Sequence, residues 1–391
     1  MRILPPERRI KDGLVTLSAG VRLDGAGPKI PDEIWFKFPE QFEHLCARGI
    51  EPFVVALSPL ASLLNEEIEI DSAFSERLKL GLDEYWKIIN SWLPQKFHQV
   101  HLRGAELTTD AHVPGYAAAA FSGGIDSFFT QFTERDRPPG YRTKFAVFAH
   151  GFDIPLALED VFERAAAEYE RALRACGVEL VRMKSNVRAF VPDWNLGHGT
   201  ALGAAGLALA GGVNRFLIPS SMSYTTLKPW GSSPMIDGLL STDRVQVIHD
   251  GAYYSRFDKI SMMKDWEPLR KLCRVCYEKP DAMHNCGRCH KCRRTMLVLD
   301  SLGVLKDFKT FSSAPTPFQY LNGHWETPHE LLFGTQAIAA AEKSGRHDLA
   351  WATRIAMQRT KIAVAIKRAR KLTRPLRRRY DPSPATFTAN A

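Results

Sequence analysis

The sequence predicts an α/β protein: a parallel sheet with helices on both faces, an N-terminal α+β addition, and a helical C-terminal region stabilised by zinc. Three observations lead there. From residue 116 onward, apolar runs alternate with segments of helical periodicity; a glycine-rich turn stands between the first run and the first helix; and five of the seven cysteines fall between Cys273 and Cys292. Strands alternating with helices imply right-handed βαβ units, and such sheets place ligands at the carboxyl ends of their strands.

A chain of 391 residues, 45% hydrophobic and 24% charged, is long enough for one large domain with additions. Its start carries no apolar leader core, and nowhere does it reach the roughly 18 uninterrupted apolar residues of a membrane span, so a cytoplasmic protein is expected. The net charge of +9 is local, because eleven Lys and Arg and no acid stand between Arg354 and Arg379. The rest of the chain is slightly acidic.

Residues 1–115 form the α+β addition. "GLVTLSA" and "IWFKF" read as strands, and "AFSERLKLGLDEYWKIINSWL" has the i, i+3, i+4 spacing of an amphipathic helix. Residues 116–270 form the α/β domain. "YAAAAF" suits a strand buried on both faces, and a glycine turn and a helix ending before Pro138 follow it. "KFAVFAHGFD", "VELVRMKSN" and "RFLIPSS" continue as strands, separated by the helices "LEDVFERAAAEYERALRACG" and "TALGAAGLALAGG". Residues 271–300 hold the cysteines. Residues 301–391 are a helical extension, in which Ile355, Ile362 and Ile366 recur at helical spacing up to Pro375 beside the basic run, with a disordered end. Those charges suit either a helix face in water or an anionic partner such as RNA, DNA or a membrane surface.

The turn "SGGIDS" opens a helix directly after a buried strand. There backbone N–H groups and the helix dipole favour an anion, and glycines let the backbone approach it closely. Ser122 and Ser127 add donors, while Asp126 suits a divalent cation accompanying the ligand. No lysine follows the glycines, and their spacing is neither that of a Walker loop nor that of a dinucleotide turn; "GHGTALG" is misspaced as well.

"SGGIDS" resembles the S-G-G-x-D-S signature of the PP-loop, or N-type ATP pyrophosphatase, superfamily. The resemblance implies that Ser122, Gly123, Gly124, Ile125, Asp126 and Ser127 bind ATP with Mg2+, that Asp126 and Ser127 are catalytic, and that Lys259 faces the phosphates. Members cleave ATP between the α and β phosphates, adenylate a substrate oxygen and let a nitrogen or sulfur nucleophile displace AMP.

Cysteine pairs spaced C-x-x-C place two sulfurs on one tetrahedral ion, and two pairs close a structural zinc site. Spacing alone admits Cys273 and Cys276 with Cys286 and Cys289. The run C-x9-C-G-x-C-x-x-C-x-R, however, resembles the zinc motif of the 7-cyano-7-deazaguanine synthase (QueC) family, which also carries the PP-loop. That resemblance implies Cys276, Cys286, Cys289 and Cys292 as ligands, Cys273 as spare, and His284 and His290 as bystanders. It further implies a ligase acting on a small-molecule or modified-base substrate with ammonia or an amine as donor; a homo-oligomer is compatible with this. The hydroxyl-rich segment after the fourth strand offers Ser220, Ser221, Lys228, Trp230, Asp237 and His249 as pocket residues, and His150, Asp153 and Arg256 are further candidates.

Overall fold

A computed structural model describes residues 1–25, 27–109, 114–278, 283–311 and 315–378, with side chains through Arg370. The N-terminal part contains β1 (Arg2–Ile3), β2 (Glu7–Lys11), β3 (Leu14–Arg22), β4 (Glu33–Pro39), α1 (Glu51–Leu64), β5 (Ile68–Glu69), β6 (Ala73–Ser75), α2 (Glu76–Trp92), β7 (Leu102–Arg103) and β8 (Glu106–Thr108). The alternating part follows as β9 (Tyr116–Phe121), α3 (Ile125–Glu134), β10 (Thr143–His150), α4 (Glu159–Arg174), β11 (Glu179–Ser185), α5 (Trp194–Leu207), β12 (Val213–Pro219) and β13 (Gln246–Asp250). The C-terminal region is helical, with α6 (Arg256–Met263), α7 (Glu267–Leu272), α8 (His290–Ser301), α9 (Pro317–Tyr320), α10 (Pro328–Lys343) and α11 (His347–Arg378).

One mixed, mostly parallel sheet runs in the order β13, β12, β9, β10, β11, β4, β3, β1, β5, β7, with β2 on β3. The five strands from β13 to β11 are parallel. The chain moves from β9 through β10 to β11, then returns across the sheet to β12 and β13. The strand order therefore reverses between β9 and β12, and the crevice outside their carboxyl ends is where an open α/β sheet receives a ligand.

Alternate residues of β10 enter two cores, as strand geometry requires. Phe145 and Val147 pack with Phe53 and Leu57 of α1 and Ala204 and Leu207 of α5. Ala146 and Phe148 pack with Phe128, Phe162 and Tyr169, and that second core continues into Leu269, Met296, Phe333 and Leu349 of the C-terminal helices. Helices thus cover both faces, and the C-terminal region shares its core with α3 and α4.

The N-terminal strands extend the same sheet. β4 lies antiparallel on β11 through Ser185↔Phe36 and Lys184↔Lys37. Asn186 lengthens this short seam, accepting from the Trp35 N–H at 2.9 Å and donating to the Glu33 carbonyl at 2.8 Å. Two helices among the departures from the sequence reading are α5 and α11. α5 begins at Trp194 and takes in "GHGTALG", whose glycines serve close packing: a Cβ on Gly199 would lie 1.8 Å from the Gly231 carbonyl oxygen. α11 runs through Pro375 to Arg378, although proline removes one N–H from the ladder. Its first half buries Leu349, Ala352, Ala356 and Thr360 against the body, whereas Lys361, Ile362, Ile366, Lys367 and Arg368 are exposed. The final residues "DPSPATFTANA" lie outside the described residues. Among the described residues no helix is long and apolar enough to cross a membrane.

Asn186→Ala removes both seam bonds and is expected to cost about 1–3 kcal/mol. A denaturant melt checks this, with zinc content measured alongside and expected to be unchanged.

Candidate functional site

The loop after β9 is shaped by two glycines. Gly123 has φ +74, and a Cβ there would lie 2.0 Å from the Tyr169 hydroxyl, so no other residue fits without displacing that ring. Gly124 is the extended cap of α3, and no side chain caps this helix. The hydroxyls of the loop secure its own backbone: the Ser122 N–H donates to Ser127 Oγ at 3.2 Å, and Ser127 Oγ donates to the Gly124 carbonyl at 3.1 Å. Ser127 is buried, and Ile125 anchors the first turn in the core.

Asp126 is gripped by two cations. Ser255 and Asp258 form a capping box that starts α6 and fixes Arg256 and Lys259 on its first turn. Arg256 donates to Asp126 Oδ2, and Lys259 Nζ lies 3.1 Å from Oδ1. Lys259, fully buried, also donates to the Ser220 carbonyl at the end of β12. It thereby joins the two strand ends that flank the reversal of strand order. Burial opposes ionisation of Asp126, yet Arg256 and then Lys259 outweigh it and hold the carboxyl at about 2. Burial lowers the Lys259 pKa, with Asp126 opposing and Arg256 reinforcing that shift.

More positive charge comes from α8. Arg294 donates to Glu330 Oε1 at 2.9 Å, and burial followed by repulsion from Arg256 brings its pKa down to about 10. Lys291 is lowered by burial and then by Arg256, while Asp153 and Asp126 pull the other way. Arg256 therefore repels Lys259, Lys291 and Arg294, around Asp126 and Glu330. An anion would relieve that repulsion.

The cysteine segment lies directly behind the loop, since the Arg274 N–H donates to the Gly123 carbonyl at 2.8 Å. The sulfurs of Cys276, Cys286, Cys289 and Cys292 all lie within 4.8 Å of one another, and those of Cys286 and Cys292 are 3.8 Å apart. A tetrahedron with Zn–S bonds of about 2.3 Å has edges of about 3.8 Å, so these four fit zinc. The turn at Gly287, with φ +67, lets the N–H groups of Arg288 and Cys289 point at Cys286 Sγ, at 3.4 and 3.3 Å. Burial opposes the Cys286 thiolate, but these donors bring its pKa down to about 7. Cys289 caps α8, its Sγ accepting from the Cys292 N–H at 3.4 Å, so the cluster sets the direction of the helix that carries Lys291 and Arg294. Cys273 stays outside the set, buried and pushed up to about 12 by that burial. His284 is exposed, and His290 bonds the His324 carbonyl at 2.8 Å.

Several other candidates are held in contacts away from the loop. Ser220 turns its hydroxyl to the Met222 carbonyl and meets the site only through its own carbonyl. His150 stacks on Phe162 at 4.5 Å and bonds the Pro155 carbonyl at 2.9 Å. Asp153 is exposed and caps no helix, as α4 is capped at Leu158. Asp237 is a buried bracket, accepting from Ser232 and His249 at 2.7 Å each and from the Ser233 N–H at 3.1 Å. Trp230 lies 5.7 Å from His198 with Lys228 Nζ 4.8 Å over its ring.

Sequence reasoning missed Asn285. Its Oδ1 accepts from the N–H groups of Val275 and Cys276, at 2.8 and 3.0 Å, and its Nδ2 donates to the Cys273 carbonyl at 2.8 Å. An asparagine before a cysteine looks like an ordinary turn residue, and nothing in the spacing marks it. Comparison with protein-family models, with curated proteins and with solved structures finds no match.

Two outcomes are expected. Cys286→Ser should lose bound zinc and stability together, since structural zinc contributes apparent free energies of about 10–16 kcal/mol; metal analysis with thermal melting checks this. The Asp126 carboxyl lies at about 2 when folded against an ordinary 3.8. Its contribution is therefore present above about pH 4 and is lost as pH falls toward 2. Melts between pH 5 and 2 should show a shallower loss for Asp126→Asn than for the parent chain.

Proposed function

We propose that this chain is a PP-loop ATP pyrophosphatase of the QueC-like kind, with a HUP-like sheet, which adenylates a carboxylate-type substrate for attack by ammonia or an amine. The observation that carries the reading is the placement of "SGGIDS" at the reversal of strand order, with Arg256, Lys259, Lys291 and Arg294 gathered around it. Such a loop suits a polyphosphate because cations from two helices, α6 and α8, stand beside a helix start that no side chain caps. A 7-deazapurine acid is the substrate class that the family resemblance suggests.

In this reading, the free N–H end of α3 and the loop backbone receive the β and γ phosphates, while Ser122 and Ser127 hold the turn in shape. The four cations stabilise the charge that grows on the leaving pyrophosphate as the α–β bond breaks, and the substrate carboxylate oxygen takes the place of pyrophosphate on the α phosphorus. The lone pair of the nitrogen nucleophile then attacks the activated carbonyl, and AMP leaves. Asp126 acts by holding Arg256 and Lys259 in position. Magnesium does not fit as an ion held by these residues, because both oxygens of Asp126 are taken by cations. Zinc fits the four cysteines, and a closed thiolate set stabilises without supplying an open position.

Thiolation fits less well, since the spare Cys273 is buried and protonated. A second reading, a non-catalytic protein that binds nucleic acid, is favoured by the exposed Lys361, Lys367 and Arg368 on α11. Incubation with ATP, magnesium, candidate acids and ammonium separates them. AMP and pyrophosphate support the ligase; ADP contradicts it; no turnover together with RNA or DNA binding supports the second reading. Gly123→Ala is expected to lower AMP formation by about 100-fold or more, the scale of losing one preorganised phosphate contact.

A further inference from the structure

The C-terminal helices pack on the candidate site with specific side chains. Thr327 and Glu330 form the capping box that starts α10: Thr327 Oγ1 accepts from the Glu330 N–H at 3.3 Å, and Glu330 Oε2 accepts from the Thr327 N–H at 3.0 Å. The other oxygen of the same carboxylate takes Arg294 at 2.9 Å, so the start of α10 and the aim of Arg294 are fixed by one group. Two turns further on, Gln336 Oε1 accepts from Ser255 Oγ at 2.8 Å, and Gln336 Nε2 donates to Asp258 Oδ1 at 3.3 Å. Ser255 and Asp258 are the capping pair of α6, the helix that carries Arg256 and Lys259. Residues seven apart share a helix face, so His329 lies on the face of α10 that Gln336 turns toward α6.

We propose that His329 is a direct contact to the polyanion at the Ser122–Ser127 loop, supplied by the helical region beyond the cysteine cluster; this rests on the phosphate-site reading above. His329 is half-buried and makes no hydrogen bond among the described residues. Burial, and next Arg256, bring its imidazole down to about 4, with Arg294 adding to the shift and Asp126 and Glu330 opposing it. At neutral pH it is therefore an uncharged ring among cations. An uncharged ring adds no repulsion while the site is empty, and its N–H is available to a phosphate oxygen. The site would then be completed by a segment that the α/β domain and the cysteine cluster do not contain.

Inorganic pyrophosphate is the probe, with binding measured by calorimetry on the full zinc-loaded chain. His329→Ala should weaken binding at least tenfold with melting temperature and zinc content unchanged, and His329→Asn, which keeps an N–H donor, should recover part of the loss. Thr335→Ala, exposed on another face of α10, should bind as the parent chain does. Unchanged affinity in His329→Ala, beside a parent chain that binds, overturns this inference alone. A parent chain that binds no pyrophosphate overturns the phosphate-site reading, and this inference with it.

Discussion

Lys259 is the pin of the molecule. Its ammonium is buried between a loop carboxylate and a strand-end carbonyl, and through these two bonds the turn after β9, the end of β12 and the start of α6 keep their relative places. A buried charge is tolerated only with partners; removing one partner of such a pair typically costs about 3–5 kcal/mol. The same arrangement keeps Arg256 forward, beside Asp126. This buried ion cluster thus coincides with the place where the sheet order opens a crevice, and stability and site geometry are set by the same atoms.

The cysteine cluster acts on this place from behind. Between Cys273 and Cys276 the chain donates to the glycine turn, and Asn285 holds both strands of the knuckle while bonding Thr310 Oγ1 at 3.0 Å. The cysteine cluster organises the first turn of α8, so Lys291 and Arg294 depend on it although neither belongs to it. The cysteine segment and the glycine loop, some 150 residues apart in the chain, are in that sense one unit.

Much of this was legible in the sequence. The parallel strands β9 to β12 announced themselves as apolar runs between glycine turns, and α2, α3 and α4 by their periodicity. α1 escaped notice because "EPFVVALSPLASLL" is apolar on every side and contains Pro59, which looks like a stop. β13 is short and half-buried, and its hydroxyl-rich approach hid it. At the site, the loop and a cysteine cluster were visible in local spacing, whereas Cys292 in place of Cys273 followed from the family resemblance, since spacing alone admits Cys273. The partners of Asp126 were less visible: Arg256 and Lys259 come from 130 and 133 residues away. A lysine at a helix start looks like a solvated charge until tertiary packing closes over it. Glu330 shows locally only as the end of the T-x-x-E capping box; its hold on Arg294, and the placement of His329 and Gln336, are set by what α10 lies against.

The seam between β4 and β11 has a consequence for synthesis. Trp35 and Ser185, bonded across it at 2.8 Å, are separated by 150 positions in the chain. At about 5–20 residues per second, the ribosome takes on the order of 10–30 s to make what lies between them. During that interval β4 has β3 on one side and an open ladder on the other. Nascent chains are thus exposed to mispairing at this N-terminal edge until β11 has been translated.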